Sequence, residues 1–257
     1  METADIIKAL QNKDIARKIR LKDIPVMSPE EQQAWRDELE RKEVAKYKAK
    51  RAKTFMQQRS IYNEQNVLAH EFKNIEPTSD EFVKLAKQAK QIALDYCNGK
   101  QYNTVLRGKA GTGKTMLSVC MLNLVRKHAI EPKSCLFVST AEIAELSFAK
   151  YQHDFRREDR FNQFFKDLKE TDLLVLDDLG TESSLQGETR EASNTVQQTM
   201  FRIGDLMQGK PIIITTNNTG DDLIRIYNQK IVSRLLTSNP EHVLDFSKVP
   251  DYRMAHN

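Results

Sequence analysis

The chain has 257 residues, 39% of them hydrophobic and 30% charged, with a formal net charge of +4 and a mean hydropathy of −0.60. That length holds one large domain or a medium one with an appendage. No apolar run approaches the roughly 18–20 residues of a membrane span, so no membrane partner is expected. Three scattered cysteines, Cys97, Cys120 and Cys135, make neither a disulfide framework nor a zinc site; with no secretory-type N-terminus, a reducing cytoplasm is the expected location.

The charge is uneven. Residues 1–60 hold 15 Lys and Arg against 10 Asp and Glu, whereas the remaining 197 residues hold 25 against 26, which points to a separate N-terminal unit. Residues 1 to about 25 suggest a short amphipathic helix carrying Ile6, Ile7, Leu10, Ile15 and Ile19, ended by Pro25. A second helix begins at Ser28 as N-cap, with Pro29 in the first turn and Glu31 closing a capping box. It carries Trp35 and Leu39 and turns strongly basic from Arg41 to Lys53. Trp35 either staples the N-terminal helices together or anchors a partner protein. The basic run is a solvated face or a nucleic-acid contact. Loop-forming residues from Asn63 to Ser79 place the boundary near residue 66. A helix from Asp80 to Asn98, stopped by Gly99, follows.

Residues 108–115, Gly-Lys-Ala-Gly-Thr-Gly-Lys-Thr, fit the phosphate-binding pattern at every fixed position: Gly108, Gly113, Lys114 and Thr115. A random chain of this length matches about once in a hundred. An apolar strand precedes the loop (Thr104 to Leu106), and a helical pattern follows it (Met116 to His128). Gly111 and Gly113 let the backbone aim N–H groups at phosphate oxygens, and Lys109, Ala110, Thr112 and Met116 complete the cradle at a helix N-terminus. Lys114 brings charge to the outer phosphates, and Thr115 offers a hard oxygen to Mg2+. ATP with Mg2+ is therefore the expected ligand, with Phe72 and Ile75 packing beside the adenine.

Further on, strands and helices alternate. Ser134 to Thr140 reads as a strand, Ala141 to Tyr151 and Asp159 to Lys169 as helices, and Leu173 to Leu176 as a strand buried on both faces. A long helix covers Glu188 to Met207, then comes the strand Pro211 to Thr216. Short helices at Asp221 to Tyr227 and Lys230 to Thr237 lead to a last strand, His242 to Phe246. This alternation predicts a parallel α/β sheet. Asp177 and Asp178 end the acidic strand. Asp177 suits the magnesium site, and Asp178 suits orienting or deprotonating the attacking water, though two acids before Gly180 also suit a turn. Asn217, after the next strand, either senses the γ-phosphate or caps a helix. Arg234 and Arg253 are the arginines that could complete a phosphoryl-transfer site.

In this order, the loop, Leu-Leu-Val-Leu-Asp-Asp-Leu-Gly, Ile-Ile-Ile-Thr-Thr-Asn, Ile-Val-Ser-Arg-Leu and the terminal Asp-Tyr-Arg resemble the AAA+ ATPases of the DnaC/DnaI replicative-helicase-loader family. The resemblance covers residues 66–257, and more weakly the N-terminal part, where Glu-Glu-Gln-Gln-Ala-Trp-Arg before a basic helix looks like a helicase-binding domain. It implies an AAA+ P-loop fold, a parallel five-stranded sheet with helices on both faces, after a small all-helical domain over residues 1–66. It also implies that Asn217 is sensor 1, Arg234 an arginine finger acting in trans and Arg253 sensor 2. The implied partners are a hexameric DnaB-type helicase bound through the N-terminal domain, single-stranded DNA, and further copies of the chain in a ring or spiral. Tyr151, Phe155, Arg156 and Arg157 are the expected DNA contacts; the competing reading makes Phe155 core and the arginines solvated. Asp178 departs from the Glu of many AAA+ proteins. A transposition helper ATPase of the insertion-sequence type is the alternative function.

Overall fold

In the computed structural model, residues 28–64, 66–77, 79–183 and 190–252 are described. They belong to two units, 1–46 and 47–257. The expected helix before Pro25, and Arg253, lie outside the described residues.

Helix α1 (Pro29–Arg59) begins as its sequence dictates. The Ser28 N–H donates to Glu31 Oε2 at 2.7 Å and the Glu31 N–H to Ser28 Oγ at 3.2 Å, a reciprocal capping box. Within the first unit its side chains are solvated, Trp35 included.

The second unit begins at Tyr47, within α1. Ala52, Phe55 and Met56 at the end of α1, and Ile61 beyond it, are buried. Burying side chains of the larger three kinds is worth about 1.5–3 kcal/mol each. Ile61 also lies parallel to Val138. Its N–H donates to Phe137 O at 2.9 Å, and its carbonyl accepts from Ser139 N–H at 2.8 Å. This stretch cannot be a linker, because it extends the sheet edge.

The sheet is parallel, with strand order β2-β3-β4-β1-β5. Its strands are β1 (Thr104–Arg107), β2 (Cys135–Ser139), β3 (Leu173–Asp177), β4 (Ile212–Thr216) and β5 (Val243–Asp245). Side chains alternate across the pleat. Leu136, Val138, Leu174, Leu176, Ile212 and Ile214 enter the core cluster on one face. Cys135, Phe137, Leu173, Val175 and Ile213 enter the other, with Leu106 and Leu244. Helices α2 (Asp80–Cys97) and α3 (Lys114–His128) cover the second face, while α4 (Thr140–Ser147), α5 (Phe155–Lys169), α6 (Asn194–Leu206), α7 (Gly220–Ile226) and α8 (Gln229–Leu235) contribute to the first. Helix α2 ends at Cys97 with Asn98 as C-cap, and Gly99 turns the chain away with φ +86°.

Three helix boundaries differ from expectation, each for a local reason. The helix expected to run to Tyr151 ends at Ser147 and gives way to a 3₁₀ turn, Ala149–Gln152. Helix α5 starts at Phe155 because Asp154 caps it, accepting from Arg157 N–H. Helix α6 starts at Asn194 instead of Glu188 because Ser193 caps Val196 N–H.

Candidate functional site: a nucleotide cleft at the strand ends

The strand–loop–helix unit β1–α3 places the phosphate loop at the carboxyl end of the sheet, where ligands of open α/β sheets bind. Gly108 has φ +147°, and a β-carbon there would come within 2.9 Å of the Phe246 backbone. Gly113 has φ +90° and precedes α3, leaving the Phe82 ring 3.0 Å from where a β-carbon would stand. Both positions require glycine.

Lys114 is buried and its Nζ donates to Gly108 O at 2.8 Å, Lys109 O at 2.7 Å and Asn217 Oδ1 at 2.8 Å. Asn217 thus joins β4 to the loop. It does not cap α7, whose N-cap is Thr219 in a capping box with Asp222. Thr115 Oγ1 donates to Asp177 Oδ1 at 2.9 Å. Thr215 Oγ1 donates to the same carboxylate oxygen at 2.7 Å and accepts from Asp178 N–H at 2.8 Å. Burial pushes the Asp177 carboxyl up to about 6, the neighbouring Asp178 and Glu64 charges push the same way, and the two threonine hydroxyls pull against them. Asp178 adopts a left-handed φ of +57° as the chain turns out of β3.

The donor set fits magnesium with a nucleoside triphosphate. Thr115 and Asp177 bring two hard oxygens together beside a lysine, and magnesium takes its remaining ligands from phosphates and water. Among the described residues no cluster of three or more His, Cys, Asp or Glu side chains forms a cage by itself.

Beside the loop lies a cleft of about 440 Å³. Val67, Phe82, Met116 and Tyr252 supply its apolar walls, and Glu64, His70, Asn74 and Glu76 its polar ones. Phe72 and Ile75, expected beside the base, line a neighbouring cleft instead, because the turn at Phe72–Asn74 directs them towards α2. Tyr252 N–H donates to Gly111 O at 3.0 Å, so the Asp251-Tyr252 pair lies against the loop.

Arg234 is exposed on α8. Its guanidinium stacks 4.4 Å over the Phe201 ring on α6 and donates to Lys230 O at 3.0 Å. Tyr151 is 70% and Phe155 75% exposed, so Phe155 is not core. Arg156 is exposed too, whereas Arg157 is bonded to Glu145 at 2.6 Å.

Sequence reasoning missed the part played by Thr215, which links both aspartates. Its signal was its place two residues before Asn217, on the same side of an extended strand. It missed Phe82, which no linear signal marks, and gave Tyr252, though quoted in the terminal Asp-Tyr-Arg, no place in the cleft.

The sequence model of the family described as IstB-like ATP binding protein matches residues 15–236. Among curated proteins, the replicative helicase loader DnaC of Escherichia coli K12 is 22% identical over 168 residues, 65% of this chain and 63% of that protein. The chain therefore matches less than two thirds of that relative's length. Among solved structures, DnaI superposes with a TM-score of 0.54 at 20% identity, covering 72% of this chain and 95% of that one. The DnaC helicase loader gives 0.52 at 20%, covering 71% and 99%. Identities this low bear on the fold, which is that of AAA+ P-loop ATPases.

Proposed function

This chain is a member of the IstB-like ATP-binding protein family and a P-loop ATPase, and we propose that it loads a ring-shaped replicative DNA helicase onto single-stranded DNA. The observation that carries this reading is a pair of solvated apolar side chains on α1. Trp35 and Leu39 stand one turn apart on a helix of the first unit, and both are solvated. A solvated Trp among charged residues suits a docking anchor. The likeness to a protein named a replicative helicase loader supports the same partner.

Magnesium, when bound by Thr115 and Asp177, neutralises charge on the outer phosphates. Lys114 exchanges its loop-carbonyl bonds for phosphate oxygens, a trade of one set of charge-assisted hydrogen bonds for a stronger one. Asp178 accepts the proton of the attacking water, and Asn217 orients that water. The resemblance assigns the same pocket a further arginine, Arg253, which lies outside the described residues. Arg234, facing solvent, serves the pocket of a neighbouring copy. Head-to-tail contacts of that kind build a ring or an open spiral. Tyr151 and Phe155 offer rings on which bases stack, and Arg156 offers charge to the backbone.

The test is co-purification of the full chain with a DnaB-type helicase. Trp35→Ala with Leu39→Ala should lose the helicase while ATP binding stays normal; undiminished recovery would remove the docking role. A second reading, a transposition helper of the insertion-sequence type, is favoured by the description of the matching family. It predicts instead an ATP-dependent complex with a transposase on duplex DNA and no capture of the helicase.

A further inference from the structure

The cleft contains a carboxylate that belongs to no motif. After α1 the chain pairs with the sheet edge: Ile61 lies parallel to Val138, and its carbonyl accepts from Ser139 N–H at 2.8 Å. Ser139 is the register partner of Asp177 on β3. Three residues beyond Ile61, the chain has therefore reached the carboxyl ends of β2 and β3, and Glu64 lines the cleft together with Gly113 and Thr115. The segment is held from the other side too. Asn123 Nδ2, on α3, donates to Leu68 O and to His70 O, each at 2.9 Å. Glu64 is exposed and follows the paired Ile61 by three residues, so the sheet edge places its carboxylate at the mouth of the cleft.

We propose that Glu64 is a positioning residue of the magnesium site, accepting hydrogen bonds from the water shell of the ion that Thr115 and Asp177 hold. Magnesium dehydrates reluctantly and keeps several waters, so a carboxylate one water away orients it without direct ligation. The inference rests on the reading of Thr115 and Asp177 as the metal's ligands.

The experiment is a magnesium titration of the affinity for a fluorescent ATP analogue, using the full chain. Glu64→Gln should need about tenfold more magnesium for half of the metal-dependent gain in affinity, the low end for an outer-shell partner. Its affinity in EDTA should equal or exceed the parent's, since a negative charge beside the phosphates is gone. Glu64→Asp should recover part of the shift. Glu76→Gln, the same charge change elsewhere in the cleft, should leave the titration unmoved. A Glu64→Gln curve lying on the parent's, or an equal shift in Glu76→Gln, overturns the proposal. Asp177→Asn separates the two layers. If it abolishes the magnesium dependence while Glu64→Gln changes nothing, only the role of Glu64 falls; if it preserves the dependence, the ligand reading falls with it.

Discussion

The phosphate end of the cleft and the outer edge of α8 are built on opposite plans. Around Lys114, side chains from the loop, β3 and the end of β4 are bonded to one another at 2.7–2.9 Å, with Lys114, Asp177 and Thr215 buried, Thr115 half-buried and Asn217 exposed, so these groups are held before any ligand arrives. Arg234 is exposed and held by one ring and one carbonyl of its own helix. A preorganised cluster binds at little ordering cost. A solvated arginine gains its full electrostatic worth only when another surface excludes water around it. The contrast separates what one chain does alone from what we assign to an assembly.

Replacing Arg234 probes that division most strongly. Arg234→Ala should lower assembly-stimulated turnover by about a thousandfold, the lower range for an arginine finger, with ATP affinity unchanged. Equal turnover by parent and variant would erase the distinction between the two regions. Lys114→Ala acts on the preassembled side. It should weaken ATP binding about a hundredfold, roughly the worth of one lost charge-assisted hydrogen bond, as measured by calorimetry.

Asp177 sharpens the contrast through stability. Its folded pKa of about 6 stands above the ~3.9 of an unfolded Asp. The folded state therefore keeps a proton that the unfolded chain releases, and this group lowers stability as pH rises from about 4 to about 6, a loss that persists above. Asp177→Asn should make the nucleotide-free protein more stable at pH 7.5, by on the order of 2 kcal/mol, and leave it unchanged near pH 4. A gain of the same size at both pH values contradicts the burial argument. The smallest effect is expected from Thr215→Val. It removes one of the two hydroxyl donors to Asp177 Oδ1 and the hydroxyl acceptor of Asp178 N–H, and should cost about 1–2 kcal/mol in thermal unfolding.

The phosphate loop and the sheet were legible in the sequence because their chemistry fixes residue types at fixed spacings. Only glycine fits at Gly108 and Gly113, and a strand buried on both faces reads as an unbroken apolar run, as Leu173 to Leu176 does. The pairing of Ile61 with the sheet edge was not legible. Asn63 and Asn66 look like a linker, yet Ile61 is tied to β2 by backbone bonds that leave no periodicity. The α6 start was misplaced because Glu188 and Glu191 suit a helix, whereas the Ser193 cap decides where it begins. The walls of the cleft were half legible. Met116 follows the loop directly, but Phe82 reaches it only through the packing of α2 on α3, and Phe72 and Ile75 turn away. Phe155 read equally well as core or as surface until the Asp154 cap fixed the face of α5.

The central claim, a pocket finished by its neighbour's arginine, is tested most directly by mixing two inactive variants. At ATP concentrations that fill only the unaltered pocket, Lys114→Ala protomers keep Arg234 but stay empty; Arg234→Ala protomers hold ATP but offer no arginine. ATP turnover should reappear when the two are combined and rise with total protein concentration. Turnover that stays absent at every mixing ratio, or that Arg234→Ala shows undiminished by itself, would contradict the account.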